Sequence, residues 1–480
     1  MSKTHFGKLE YHDYKINKFW EEVEVGKSYI ISIIRADVVD FLIKKKFGKI
    51  YKDGKIIYVR VINKRVLELD QELIRDYVIE YVRKADMDLA EHCSNKEITH
   101  VLINGSGNYL NKDTFRSLEK VELPFVRDNK KSSNFFFKYS YVKITEDKIE
   151  LLEYKNLKGH VWNNQIIDHE FKINKNTSDF EKFIKNVCDN NGERFEAMMS
   201  NIGALLSTYK NPSLSKAIVF CDEGLNKGDD PNGRTGKSLV GKAIGKMRKI
   251  ADIKGQEYEH KDKFRFQKVG VDTDVILFND VPGNFNFEKL FSSITEGFDI
   301  ERKFAHKIQI PFNEAPKLLI TTNYSILGKG SSHRDRIHEV EFYNYYSYKH
   351  KPINDFGKNF FDDWSKEEWN AFNTFMFRCV QVFLSKGLIK YRSINLDKKK
   401  ILQSVGEAFF EFAEKIKLDK KYNKKDLYEF YLEKKNDFIV TSQKTFTNFL
   451  NDYANYKGYK MINTKSNREN FFMFAKPKSD

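Results

Sequence analysis

Apolar residues along this chain form short continuous runs in the middle and looser periodic patterns at either end. Three runs define the middle: Ala217–Cys221, Val275–Phe278 and Leu318–Thr321. Continuous apolar strands at such intervals, with helical sequence between them, predict a parallel sheet covered on both faces. Ahead of them, Phe180–Lys210 has helical spacing. Phe180, Phe183, Ile184, Val187 and Cys188 fall on one stripe, and Phe195, Met198, Met199, Ile202, Leu205 and Leu206 on the next. Leu239–Lys249 reads as a helix, as does Phe360–Leu384 with Trp369, Phe372 and Met376 on one stripe.

The N-terminal part has a different pattern. Ile50-Tyr51, the turn Lys52-Asp53-Gly54 and Ile56–Val61 predict a hairpin. Leu67–Lys84 has helical spacing, and Phe135–Tyr154 alternates as strands around Thr145-Glu146-Asp147. His169–Thr177 reads as a linker. A separate tail is expected from Asp397–Lys400 onward. There Ala408–Lys417, Lys424–Lys434 and Gln443–Tyr456 predict helices, and Asn470–Ala475 a terminal strand. Three helices and a wing suit reading a duplex or contacting a partner. The expected domains are 1–170 (α+β, accessory), 171–212 (helical collar), 213–345 (core), 346–400 (helical extension) and 401–480 (winged-helix-like).

Composition narrows the class. The 480 residues are 40% apolar and 31% charged, which excludes a disordered chain and allows several domains with ample core. The formal charge of +15 favours a polyanionic partner. Cys93, Cys188, Cys221 and Cys379 form no C-x-x-C pair, as expected for inert thiols in a reducing compartment. The N-terminal residues lack a signal-peptide apolar region, and no 18-residue apolar stretch exists. A cytoplasmic protein with no membrane partner is the expectation, in the host cytoplasm if the gene is viral.

Candidate chemistry starts where the first apolar run ends. Residues 231–238 read Pro-Asn-Gly-Arg-Thr-Gly-Lys-Ser, a phosphate-binding loop between a strand and a helix. Pro231 replaces the usual first glycine, and Gly228 just upstream allows a longer turn. Asn232, Gly233, Arg234, Thr235, Gly236, Lys237, Ser238 and Leu239 are the candidate nucleotide contacts. Lys237 reaches the β and γ phosphates of ATP, and Ser238 helps hold Mg²⁺. Asp280 ends the second run 43 residues beyond Lys237, where a carboxylate can hold Mg²⁺ opposite Ser238. Asn323 follows the third run another 43 residues on, where its amide can position an attacking water. Between them, Asp299–Ile310 reads as a charged hairpin. Its Arg302, Lys303, His306 and Lys307 suit a phosphate backbone, and Phe304 suits a sugar or base. Arg334 and Arg336 both qualify as a finger that acts on the γ-phosphate of a neighbouring subunit.

Together these motifs resemble the superfamily 3 helicase core, of the viral and plasmid type related to poxvirus D5 ATPase domains. The resemblance lies in Gly-Arg-Thr-Gly-Lys-Ser (233–238), Leu-Phe-Asn-Asp-Val-Pro (277–282), Ile-Thr-Glu-Gly (294–297), the basic hairpin, Thr-Thr-Asn (321–323) and the arginine pair. It is strong over 180–345 and weaker over 1–170 and 400–480. It implies an α/β chain whose AAA+ P-loop NTPase core has a parallel sheet, flanked by an N-terminal α+β domain and a C-terminal winged-helix-like domain. It also implies an ATP hydrolase that assembles as a homo-oligomeric ring, often a hexamer, and moves single-stranded DNA through its pore. His306 and Lys307 take the position of the hairpin's tip pair. The family commonly ends its second strand in two acids, whereas here the first is Asn279. If that position activates water, another carboxylate is needed, and Glu296 is a candidate.

The leading expectation is a replicative DNA helicase of a phage, virus or mobile element, acting on single-stranded DNA or a forked duplex. The paired acidic strand motif of a fused primase is not evident in residues 1–170, and a separately encoded primase or polymerase is among the partners considered. A packaging or remodelling translocase uses the same phosphate-binding residues. An origin-binding or loader scaffold gated by ATP is the non-enzymatic alternative, and Asn279 is its best support.

Overall fold

The computed structural model describes residues 18–52, 55–223, 234–270, 272–301, 308–324, 326, 331–391, 395–434, 442–466 and 469–476. The chain divides into two compact units. One comprises Met1–Arg127, Asn134–Val142 and Glu150–Glu170; the other comprises Asp128–Ser133, Lys143–Ile149 and Phe171–Asp480.

In the first unit, Trp20–Val25 and Ser28–Ile33 form an antiparallel hairpin. Phe47–Lys52 and Lys55–Ile62 pair antiparallel, which is the hairpin expected around the 52–54 turn. Arg65–Leu69 extends this sheet, and Val161–Trp162 joins it in parallel. The helix expected over Leu67–Lys84 starts later, at Gln71, because Asp70 caps it by accepting the N–H of Leu73. Leu67 and Leu69 belong to the strand. Phe19, Phe41, Ile74, Val78 and Phe115 are among the residues of this unit's core.

The second unit is built on a five-stranded sheet in the order Ile250–Lys254, Val275–Val281, Lys317–Thr322, Ala217–Asp222, Ile337–Phe342. Every neighbouring pair is parallel. Three of these strands were legible as apolar runs. The two edge strands carry polar residues (Ile250-Ala-Asp-Ile-Lys and Ile337-His-Glu-Val-Glu-Phe) and escape that criterion. Numbered along the chain the order is 2-3-4-1-5, as in a P-loop NTPase of the AAA+ type. The carboxyl ends of strands 1, 3 and 4 therefore share one edge, where open α/β sheets bind ligands.

His338 on the fifth strand is 6% exposed. Burial, reinforced by Lys216 and Lys390, lowers its pKa to about 4. The unfolded chain holds this proton up to about pH 6.5. Stability is therefore complete above that pH and falls as the pH drops toward 4, by at most about 3 kcal/mol from this group. Melting temperatures measured between those limits are expected to decline less steeply in His338→Gln; an identical slope would remove His338 as a cause.

Against the sheet lies a helical layer. The single stretch expected over Phe180–Lys210 is two helices, Asp179–Val187 and Gly192–Leu206. Asp189 and Asn190 take left-handed φ values of 57° and 50°, and the Asn191 side chain caps the second helix at Arg194 N–H. The helix expected from Phe360 begins only at Lys366, capped by Ser365. Phe360, Phe361 and Trp364 instead pack as an aromatic cluster with Phe180 and Phe372. Gly203 lets Gly192–Leu206 approach Lys366–Lys386, since a Cβ there would stand 2.1 Å from the Cys379 carbonyl oxygen. Gly203→Ala must part the two helices, and we expect it to cost about 3 kcal/mol. An unchanged midpoint in urea unfolding would contradict that.

At the C-terminus, Leu396–Val405, Glu407–Ala413, Lys424–Lys434 and Gln443–Lys457 are helices. Glu469–Ala475 lies between Tyr422–Asn423 and Lys460–Ser466 in an antiparallel sheet. The wing is thus a hairpin and not a lone strand, because the polar face of Lys460–Ser466 hides its alternation. Its core includes Phe409, Tyr431, Phe446, Leu450 and Phe472. This region does not begin as a detached tail: Lys399, at 7% exposure, is buried against the main sheet.

A candidate nucleotide site at the carboxyl edge of the sheet

The first strand ends in Asp222, which is 2% exposed. The chain is described again from Arg234, with φ of 81°, and Gly236, with φ of 102°. Gly236 is needed for its conformation and for its contact, since a Cβ would lie 2.5 Å from the Phe183 ring. The helix Lys237–Gly245 starts immediately after it. Lys237 is thereby fixed at a helix N-terminus and is 7% exposed. Its Nζ forms an ion pair with Asp222 and donates to Asn323 Oδ1 at 2.9 Å. The Thr235 hydroxyl also donates to Asp222.

The third strand supplies two side chains through an irregularity. Its register with Lys317–Thr322 shifts between Phe278 and Val281, and Asp280 there takes a φ of 57°. Such bulges re-aim side chains. The Asp280 N–H donates to Thr321 Oγ1 at 2.9 Å. Asn279 Oδ1 accepts from the hydroxyls of Ser238 at 3.0 Å and Thr321 at 2.9 Å. The Asp280 carboxylate accepts from Gln256 Nε2 at 3.1 Å and faces Asn323 Nδ2 at 3.5 Å. The three strand ends and the helix start are therefore one hydrogen-bonded constellation.

These groups border a cleft of about 620 Å³. Arg234, Thr235, Gly236, Lys237, Ser238, Leu239, Asp280 and Asn323, all singled out in the sequence, line it together. Asn279 and Thr321 join them, and Lys351, Ile353, Lys358, Asn359 and Phe360 form part of a wall that sequence reasoning missed. Nothing in their pattern marks them, since Phe360 reads as the start of a helix. Lys358 is held by Asp179 at 2.8 Å, which raises its pKa. Asp222 was also missed; an acid closing an apolar strand just before a phosphate loop is the signal that could have found it.

Arg234, Lys237, Lys351 and Lys358 outnumber the single carboxylate among the lining residues, Asp280, and the helix start adds N–H groups that no side chain caps. An anionic ligand suits this balance. Ser238 and Asp280 offer hard oxygen donors that can share a Mg²⁺ with phosphate oxygens. Among the described residues no three His, Cys, Asp or Glu side chains gather into a metal site of their own.

Of the other sequence-predicted residues, Glu296 and Arg336 lie outside the cleft lining. Asn232 and Gly233 fall outside the described residues, as do Arg302, Lys303, Phe304, His306 and Lys307. The strands flanking those last five, Phe298–Ile300 and Ile308–Ile310, pair antiparallel as a hairpin stem. Glu296 is exposed at the end of the short helix Phe291–Thr295 and does not line the cleft. Arg334 lies in the helix Ser331–Arg336. Arg336 closes that helix with its guanidinium 5.2 Å from the Phe291 ring centroid, also outside the cleft lining.

No family model matches the chain, and no curated protein does. Among solved structures, the chain is similar to the apo NrS-1 C-terminal region (305–718) at 12% identity. That likeness covers 91% of this chain and 98% of the other, with a TM-score of 0.44. The A form of the same apo region gives 13% identity, the same coverage and a TM-score of 0.41. A ligand-bound JCV helicase gives 11% identity over 43% of this chain and 53% of the other, with a TM-score of 0.27. Among the described residues no helix is long and apolar enough to cross a membrane.

Proposed function

We propose that this chain is an ATP-driven motor of the superfamily 3 type that moves along single-stranded DNA and opens forked duplexes during replication of a phage, virus or mobile element. One observation carries the reading: Lys237, at a helix start, is held between two parallel strand ends by Asp222 and Asn323, with Ser238 and Asp280 in the same cleft. Nucleotide-dependent phosphoryl chemistry needs this set of a cation, a hydroxyl, a carboxylate and an amide in one place.

In this reading the residues from Asn232 to Leu239 wrap the phosphates, and Lys237 offsets charge on the β and γ groups. Asn323 orients the attacking water. Ser238 and Asp280 would hold Mg²⁺, which supplies charge compensation at the phosphate oxygens. Arg334 or Arg336 of an adjacent copy completes the site, which requires a closed ring, a hexamer in our reading. Glu296, which does not line the cleft described above, is the carboxylate proposed to activate water in place of Asn279; unchanged turnover in Glu296→Gln would remove it from the mechanism. Arg302, Lys303, Phe304, His306 and Lys307 carry the DNA strand. Residues 1–170 would recruit a separately encoded primase or polymerase, bind an origin or form a collar of the ring.

The test is ATP hydrolysis with and without single-stranded DNA, followed by a forked-duplex assay. DNA-stimulated turnover with ATP-dependent strand release supports the motor. Translocation on duplex without strand release moves the reading to a packaging or remodelling ATPase. Asn279, in a position where the family usually carries an acid, favours a second reading, an ATP-gated scaffold. Fewer than about one turnover per chain over a long incubation, despite assembly and nucleotide binding, would select it.

A further inference from the structure

Two lysines converge on the same two residues. Lys237 engages the side chains of Asp222 and Asn323. Lys399 engages their main chains, with its Nζ 3.0 Å from the Asp222 carbonyl oxygen and 2.9 Å from that of Asn323. Those carbonyls stand at the carboxyl ends of the first and fourth strands. Lys399 comes from a different part of the chain, the helix Leu396–Val405, which packs against Glu407–Ala413 and Gln443–Lys457. The next residue, Lys400, pairs with Glu339 on the fifth strand and pins the same helix a second time.

An ammonium group buried to this degree is costly unless its donors are met. Burial accordingly lowers the Lys399 pKa. A methionine would fill the space without that cost, so packing alone does not account for a lysine. What the lysine adds is a fixed spacing between the two strand ends that Lys237 bridges on their side-chain side.

We infer that Lys399 is a positioning residue for the nucleotide site, a brace through which the C-terminal helices set the placement of Asn323 and Asp222. It touches no substrate and acts through those two residues. The inference rests on the proposed ATP hydrolysis. It adds that the C-terminal region is part of the catalytic apparatus, because any shift of the Leu396–Val405 helix moves both carbonyls.

The experiment is a double-mutant cycle on the full chain, with Lys399→Met, Asn323→Ala and the pair, reading ATP turnover and bound nucleotide per chain. Lys399→Met is expected to lower kcat by about tenfold with KM and nucleotide stoichiometry near wild type. In the Asn323→Ala background the same change is expected to cost less than about fivefold, because one of the two side chains it positions is gone while Asp222 remains. Lys399→Arg, which retains donors for both carbonyls, is expected to recover to within about threefold of wild type. Multiplicative effects, unchanged turnover in Lys399→Met, or stoichiometry falling in step with turnover would each overturn the brace. If Lys399→Met does not fold, Lys399→Gln takes its place in the cycle; failure of both to fold makes Lys399 a structural residue and overturns the inference. The wild-type rate, measured first, separates the two readings. No wild-type turnover overturns the motor, whereas normal wild-type turnover with an unaffected Lys399→Met overturns only the brace.

Discussion

Replacing Lys237 with alanine is expected to abolish ATP turnover, by at least about 10²-fold, and also to destabilise the protein by about 3 kcal/mol. The first effect follows from removing the cation at the centre of the cleft, which an alanine cannot replace. The second follows from Asp222. Its carboxylate is buried with Lys237 as its ion-pair partner, at 3% and 8% side-chain exposure. Thr235 donates to the same oxygen but brings no charge. Removing the lysine leaves a buried anion that has lost its hydrogen-bonded ion-pair partner, with only the Lys399 ammonium nearby to offset its charge. The two effects separate in the double variant Lys237→Ala with Asp222→Asn, which is expected to regain most of the stability and none of the turnover. Urea midpoints and steady-state hydrolysis test both. A single variant as stable as wild type would show that the pair is not the buried charge compensation described here, and recovery of turnover in the double variant would remove Lys237 from the chemistry.

Asp280→Asn is expected to reduce turnover by about 10²- to 10³-fold and to raise the Mg²⁺ concentration needed for half-maximal rate. The substitution is chosen for its backbone. Asp280 has a φ of 57° in the bulge of its strand, a conformation that Asn tolerates and most other side chains do not. Asn can keep an acceptor toward Gln256, so the constellation persists while the negative charge goes. Asp280→Ala confounds the comparison, because it adds backbone strain of about 1 kcal/mol. Turnover in Asp280→Asn within about threefold of wild type, at the same Mg²⁺ midpoint, would remove this carboxylate from the metal-binding role.

Some of this was legible from residues alone. The phosphate loop, the acid after the second apolar run and the amide after the third all mark chemistry through local sequence, because a buried strand ends where polar side chains begin. Lys237, Ser238, Asp280 and Asn323 were found this way, and they share one cleft. The parallel sheet was legible for the same reason, through strands apolar on both faces.

What escaped has a common cause. Ile250–Lys254 and Ile337–Phe342 are edge strands, and their polar residues broke the apolar signal. Lys351–Phe360 lines the cleft through packing of an aromatic cluster that no short-range pattern announces. Lys399 stands in the run Lys398-Lys399-Lys400, which reads as solvated charge; only the docking of its helix places its ammonium against two carbonyl oxygens. The sequence by itself determined which side chains are chemically equipped for phosphate, because that depends on residue type and on the local strand-to-loop boundary. The tertiary structure decided which of them meet, which partner holds Lys237, and that a C-terminal lysine reaches the main chain of Asp222 and Asn323. Those outcomes depend on strand order and helix docking, which join residues far apart in the chain and leave no periodicity within it.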